Sequence, residues 1–337
     1  MRSIASILVL FGLIATLALA GKARTVNFIR PDGQIIQVLA HDGPTSPPFY
    51  DVSVKAMGAI ADGQLHPLSE RFPTLEDAQG VYPFATNLTD EIDWAAAQKA
   101  LNAVHTTYGG VVVFTPGKYI FNRGAMFPAT AGPSDQTVLV RGHGAIIQAK
   151  TGLTGALMGR ERPASQTIAV GLTGTRYHWQ GIQFRGDGQT VGQIGLDLNV
   201  ACYGSVRDCT FVNFDTGLSA RFCLGLIVEQ CKFLANRTYG PFIGGGDWTS
   251  ASGANSQSNH VLLEHVRVYC STNQTAGILV EASSGVIVNN CIIEGGQPQY
   301  CLKFDAKNST VVKNFTVRNL HVETTATQYT LAATLPS

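Results

Sequence analysis

The chain has 337 residues, 24 basic and 23 acidic side chains, and a net charge of +1. Near-neutrality without a basic run excludes the electrostatic footprint of a nucleic-acid binder, and 45% hydrophobic residues exclude a disordered chain. Only 14% of residues are charged and 36 are glycine, a balance that points to a β-rich protein with many turns.

Met1-Arg2-Ser3 carries one positive charge, and Ile4 to Ala20 carries none. The stretch closes on Ala18-Leu19-Ala20, with small residues where a signal peptidase reads. Residues 1–20 are therefore expected to be a cleaved secretory leader, with a secreted or periplasmic mature chain that no longer touches the membrane. An uncleaved anchor is the rival, since 17 residues border on a bilayer span. Residues 21–50 are expected to be a loosely attached N-terminal segment, and 51–337 a single domain.

Thr89 to Tyr108 is predicted as an amphipathic helix, capped by Thr89 or Asp90, with Trp94, Ala97, Leu101 and Val104 on one face. It stops at Gly109-Gly110. Two strand-like runs follow, 111–121 and 137–149.

The second half repeats. WQGIQF (179–184), VRDCTF (206–211), VEQCKF (228–233), LEHVRV (263–268), VNNCII (288–293) and VRNLHV (317–322) share one apolar pattern. Their fourth residues, Ile182, Cys209, Cys231, Val266, Cys291 and Leu320, are 27, 22, 35, 25 and 29 residues apart. Gly195, Gly217 and Gly277 each precede an aligned cysteine by 14 residues. Units of this length, built of short strands and tight bends, fit a parallel β-helix of about eight or nine coils. Leucine-rich repeats are excluded because their leucine spacing is missing and no helix fits in a unit. In a β-helix equivalent residues stack at about 4.8 Å. Cys209, Cys231 and Cys291 then become core filler along one inward ladder, rather than ligands or redox pairs. No C-x-x-C or calcium-loop spacing occurs, so neither a metal nor a cofactor is expected. Seven cysteines in an exported chain also leave disulfides open. The five N-x-S/T sequons, at Asn87, Asn236, Asn273, Asn308 and Asn314, matter only in a glycosylating host.

DVSVKAMGAIADG (51–63), DWAAAQKALNAV (93–104) and GGVVVFTPGKYIF (109–121) resemble the N-terminal signature of the pectate lyase superfamily. That superfamily includes the glycoside hydrolase family 28-related, rhamnogalacturonase- and epimerase-like proteins. The match rests on Gly58, Ala59, Asp62 and Gly63, and on Pro116-Gly117-Lys118-Tyr119. Met57 stands where the signature has Phe, and residues 64–88 intervene before the helix. The resemblance implies an all-β, single-stranded right-handed parallel β-helix, with an N-terminal capping helix near Trp94 and carbohydrate as the usual ligand. It supplies no catalytic set, because the Asn-Thr-Asp, Asp-Asp and Arg-x-Lys boxes of family 28 are missing. The Gly142-His143-Gly144 triplet sits in an early coil, and His143 is expected to be a turn residue.

The repeat register yields outward columns. Glu229 and Glu264 fall in adjacent coils of one column, and two carboxyls on the order of 5 Å apart should raise one pKa. That is the arrangement of a glycosidase acid and nucleophile. Lys232, Arg267 and Tyr269 are expected to bind an acidic sugar, with His265 serving proton transfer. The Gly/Ser-rich insertion 244–258 supplies Asp247 and Trp248 to the same cleft. Arg207 and Asn289 in that column suggest the competing reading of a solvated charge ladder. Should the pair fail, Asp187, Asp197 or Asp215 on preceding coils are the next candidates. The expected function is an exported polysaccharide-active protein, a hydrolase on an acidic polysaccharide. The alternatives are a lyase with Lys232 or Arg267 as base, a non-catalytic glycan binder, and a tailspike-like homotrimer, against which the leader weighs.

Overall fold

A computed structural model describes residues 23–29, 35–41, 51–106, 109–130, 136–164, 175–245, 257–305, 314–324 and 331–334. Two compact units divide the chain, Met1–Phe49 and Tyr50–Ser337. In the first, Ala23–Ile29 and Ile35–His41 form an antiparallel hairpin. The proposed leader, residues 1–20, lies outside the described residues.

The second unit is a right-handed parallel β-helix. One wall is an eight-stranded sheet of Ala125–Phe127, Gly155–Arg160, Gln193–Asn199, Thr216–Arg221, Tyr239–Gly244, Ala276–Glu281, Tyr300–Asp305 and Leu331–Thr334, one strand per coil. The other is a fifteen-stranded sheet that folds around a corner. Its early strands, Thr137–Ala149 and Arg176–Arg185, run through the corner unbroken. In later coils each splits in two, as in Ser205–Arg207 and Thr210–Val212, or Ile227–Glu229 and Lys232–Leu234.

The corner explains a column that pattern alone left unexplained. Asp208, Gln230, His265, Asn290 and Asn319 all adopt positive φ, between 48° and 54°. Each is a single left-handed residue that turns the chain between two strands, and Asn, Asp and His tolerate this region better than most side chains. Gly144 and Gly181 take the same turn in the unbroken strands, at φ 76° and 70°. His143 is exposed beside the irregularity between Arg141 and Ala145, a turn position as expected.

Inside, the columns read from sequence stack in register. Val206 pairs with Trp179 and Val228, and Phe211 with Phe184 and Phe233. The three phenylalanine rings lie nearly parallel, with centroids 5.0 and 4.9 Å apart. Cys209, Cys231, Val266 and Cys291 follow one another in successive coils and are buried. Their carbonyls bridge the coils, with Lys232 N donating to Cys209 O and Arg267 N to Cys231 O, both at 2.9 Å. All seven cysteines are unpaired and buried, so the interior uses them as small apolar side chains. The 14-residue glycine offset also has a cause. A Cβ on Gly217 would sit 2.6 Å from the Phe233 ring, so the aromatic ladder requires a bare backbone opposite it.

At the N-terminal end the helix spans Ile92–Thr106, shorter than predicted, and packs against the first strands. Thr89 and Asp90 do not cap it. Asp90 is buried and accepts from Thr86 N and Asn87 N, which closes the preceding turn. Asp93, inside the first helical turn, accepts instead from Ile60 N, Ala61 N and Ile120 N at 2.7–3.1 Å. The GAIADG segment and the strand Gly117–Phe121 are thus tied to one carboxylate. The 64–88 interval is ordered by a 3-10 turn, Leu68–Glu70, and a short helix, Leu75–Val81, capped by Thr74.

Candidate functional site

The outward columns of the folded sheet fall where the repeat register puts them. Arg207, Glu229, Glu264, Asn289 and Arg318 are successive register partners, as are Thr210, Lys232, Arg267, Ile292 and His321. Tyr269 lies between Leu234 and Glu294. Lys232, His265 and Arg267 therefore gather at one corner. With Gln230, Asn290 and Ile292 they line a cavity of about 280 Å³.

The electrostatics of the two glutamates differ from expectation. Glu229 takes an ion pair from Arg207 Nε at 3.3 Å. Glu264 accepts from Asn290 Nδ2 and Asn289 Nδ2, both at 2.8 Å, and lies 3.1 Å from His265 Nδ1. The Asn290 and Asn289 amides hold the Glu264 carboxyl below the usual carboxylate range, where proximity to Glu229 was expected to raise one of the two. The cause is local: hydrogen bonds to the charged form outweigh the opposing effect of burial.

The cations are likewise partly engaged. Arg267 pairs with Glu294 at 3.3 Å and lies over the Tyr269 ring, 5.7 Å from its centroid. A hydrogen bond to Glu294 pushes the Tyr269 hydroxyl up. The Lys232 ammonium is exposed and has no ion-pair partner among the described residues. His265 occupies the left-handed corner, at φ 51°. On earlier coils of the same face, His178, Gln180, Tyr203 and Arg207 line a second cavity of about 310 Å³, where His178 Nδ1 lies 2.9 Å from Ser205 Oγ.

Asp247 and Trp248 lie outside the described residues. The base of their insertion is described, and it is not at this corner. The chain leaves from Gly244, the last residue of a strand in the eight-stranded sheet, and returns at Ser258. Ser258 Oγ donates to Gly244 O at 2.5 Å and accepts from Cys223 N, which staples the base shut.

On that eight-stranded sheet the sequence reading missed a charged cluster. Glu281 and Asp305 are register partners in adjacent coils, and two residues earlier Leu279 pairs with Lys303. Lys303 Nζ lies 2.6 Å from Asp305 Oδ2, and its pKa is raised by that bond. Phe242, Ala276 and Leu279 form a buried apolar patch separate from the interior, flanked by Tyr239 and Tyr300. Burial first, and the Glu281 charge second, push the Tyr239 hydroxyl up. The signal was present in GLDLN, GLSAR, GILVE and CLKFD. The fifth position of these strings runs Asn199, Arg221, Glu281, Asp305, a polar column on strands that otherwise read as core.

The fallback carboxylates are structural or shielded. Asp187 accepts from Gln189 N, Thr190 N, Thr190 Oγ1 and Gly152 N. Burial opposes ionisation, but these bonds outweigh it and hold the carboxyl at about 2. Asp215 pairs with Arg237 at 2.5 Å. Burial pushes the Asp197 carboxyl up against hydrogen bonds from Ser219 and Asn199.

Residues 172–324 match the family model described as a right handed beta helix region. No curated protein matches. Among solved structures, the chain is similar to the tailspike protein gp49 from Pseudomonas phage LKA1, at 17% identity and TM-score 0.56, covering 82% of this chain and 62% of that one. The chain thus spans under two thirds of that protein's length, and the likeness is one of fold. Weaker likenesses extend to an alginate lyase from Paenibacillus sp. str. FPU-7 (13% identity, TM-score 0.39, 68% of this chain and 95% of that one). Another is the catalytic unit of a GH87 alpha-1,3-glucanase from Streptomyces thermodiastaticus strain HF3-3 (14%, TM-score 0.36, 81% and 41%).

Proposed function

We propose that this is an exported protein acting on an acidic polysaccharide, as a glycoside hydrolase. The observation that carries the reading is the corner cavity, where the Lys232 ammonium has no counter-ion among the described residues and stands beside Arg267 and His265. Cations over a partly apolar floor of Val266 and Ile292 suit a uronate or sulfated sugar, whose ring face is apolar and whose substituent is anionic. Glu264, bonded to Asn290, and Glu294, paired with Arg267, adjoin this subsite, and Glu229 and Glu264 are the first carboxylates to substitute.

A second reading, glycan binding without cleavage at this face, is favoured by the partners both glutamates already have. Incubation with a panel of acidic and neutral polysaccharides separates the two. New reducing ends indicate hydrolysis, unsaturated ends indicate elimination, and binding with neither leaves the non-catalytic reading. Sedimentation of the same preparation tests a homotrimer.

A further inference from the structure

We propose that the cavity of about 310 Å³ on the early coils seats a neutral sugar residue, so that the ligand of this face is a heteropolysaccharide with neutral and anionic sugars close together along its chain; this rests on the acidic-polysaccharide reading above and narrows its substrate class.

The two cavities of the folded sheet differ in charge. At the corner, Lys232 has no counter-ion among the described residues. In the earlier cavity Arg207 is the one ionised side chain in the lining, and its Nε faces Glu229 at 3.3 Å. His178 adds no charge. Burial first, then the Arg207 and Arg176 guanidinium charges, hold its imidazole below the usual range, so it is mostly neutral at pH 7. Arg176 starts the same strand but does not line the cavity. What remains is a set of neutral hydrogen-bonding groups, the Gln180 amide and the His178 Nδ1–Ser205 Oγ pair at 2.9 Å. An amide or a hydroxyl both donates and accepts. That chemistry matches sugar hydroxyls, whereas a carboxylate only accepts.

The cavity also has an aromatic wall. Tyr203 is 63% exposed and turns the chain at φ 52°, a region that bulky side chains rarely adopt. Its backbone is held, with Tyr203 N donating to Leu224 O at 2.6 Å. Its ring lies against bare Gly225 of the next coil, where a Cβ would sit 2.9 Å from Tyr203 Cδ1. The ring is therefore fixed at the cavity edge with a face available to a pyranose. Few orienting polar groups beside an apolar surface are the usual make-up of a small-molecule subsite.

The two cavities are continuous along the coil axis. Ile227 lines the first, and Gln230 and Lys232, on the same coil, line the second. Arg207, Glu229 and Glu264 are successive register partners, and Arg267 lies on the coil of Glu264. Arg207 and Arg267 are thus two coils apart, roughly 10 Å along the axis. One short oligosaccharide spans both, with its anionic residue at Lys232 and a neutral residue against Tyr203.

The test is affinity electrophoresis of the full chain in gels containing all-uronate polymers (polygalacturonate, alginate), acidic polymers with neutral sugars in the repeat (xanthan, gellan), or dextran. The mixed polymers are expected to retard the wild type more than the all-uronate ones. Tyr203→Ala should weaken retention by the mixed polymers about three- to tenfold. That factor should be the same at low and high salt, because the lost contact carries no charge, and retention by all-uronate polymers should not change. Tyr203→Phe keeps the ring and should bind as the wild type does. Should Tyr203→Ala misfold, Gln180→Ala gives the same comparison from the outward face of a central strand. Equal wild-type retention by both classes of acidic polymer, or an equal loss on both in the variant, overturns the neutral subsite. Retention by none of the acidic polymers sinks the acidic-polysaccharide reading itself, whereas retention by the all-uronate polymers alone sinks only this subsite.

Discussion

Glu229 and Glu264 are register partners in adjacent coils, yet their carboxylates turn to different partners, Arg207 for one and the Asn289 and Asn290 amides for the other. Stacking alone does not make an acid–base pair. Glu281 and Asp305 have the same coil-to-coil relationship on the other sheet, and there Lys303 binds Asp305.

The Glu264 carboxyl has a folded pKa below its reference of 4.5. Its stabilisation is therefore fully present above that value and lost as pH falls through the folded one. Glu264→Gln should cost about 1 kcal/mol or less at pH 7, and the gap to wild type should close at acidic pH. Urea titrations at both pH values check this; a gap that widens in acid contradicts it.

Asp187 follows the same sign with a larger shift, from 3.8 to about 2. Its contribution stands above pH 4 and disappears between there and pH 2. After discounting for its partial exposure, Asp187→Asn should cost about 1 kcal/mol at neutral pH. Chemical denaturation of the variant in neutral and strongly acidic buffer measures it.

The aromatic ladder should be the most sensitive part of the coil. Phe211 is fully buried and stacked on both sides, by Phe184 and Phe233. Phe211→Ala should cost about 3–5 kcal/mol. Thr210→Ala, on the outward face beside it, should stay within about 0.5 kcal/mol. Equal losses would mean that the column does not stack.

Thiol chemistry reports on the same interior. Burial pushes Cys270 up to about 12 and Cys291 to about 11, and the thiolate is the reactive form. A disulfide exchange reagent at pH 8 should label the folded protein slowly and titrate seven thiols once it is unfolded. Rapid labelling of the native chain would refute the buried ladder.

At the corner cavity, Lys232→Ala should weaken acidic-glycan binding about three- to fivefold, roughly 1 kcal/mol, and the effect should shrink as salt rises. Affinity electrophoresis on anionic and neutral polysaccharides measures it. Equal loss on both kinds would count against charge recognition.

The sequence by itself determined the coils. A β-helix repeats its register once per turn, so a local pattern such as VRDCTF, VEQCKF and VNNCII already states which residues stack, and the Cys ladder and the Glu229–Glu264 column followed without long-range information. Tertiary structure decided what those columns do. The capping helix begins at Ile92, and in its first turn Asp93 is claimed by three amides brought from Ile60, Ala61 and Ile120. His265 and Asn290 stand where the chain turns a corner at positive φ. The partners that occupy Glu229 and Glu264 meet them across coils through side-chain reach and rotamer choice. Repeat spacing fixes backbone register, and the direction a charged side chain takes from that backbone depends on neighbours one coil away that no single repeat contains.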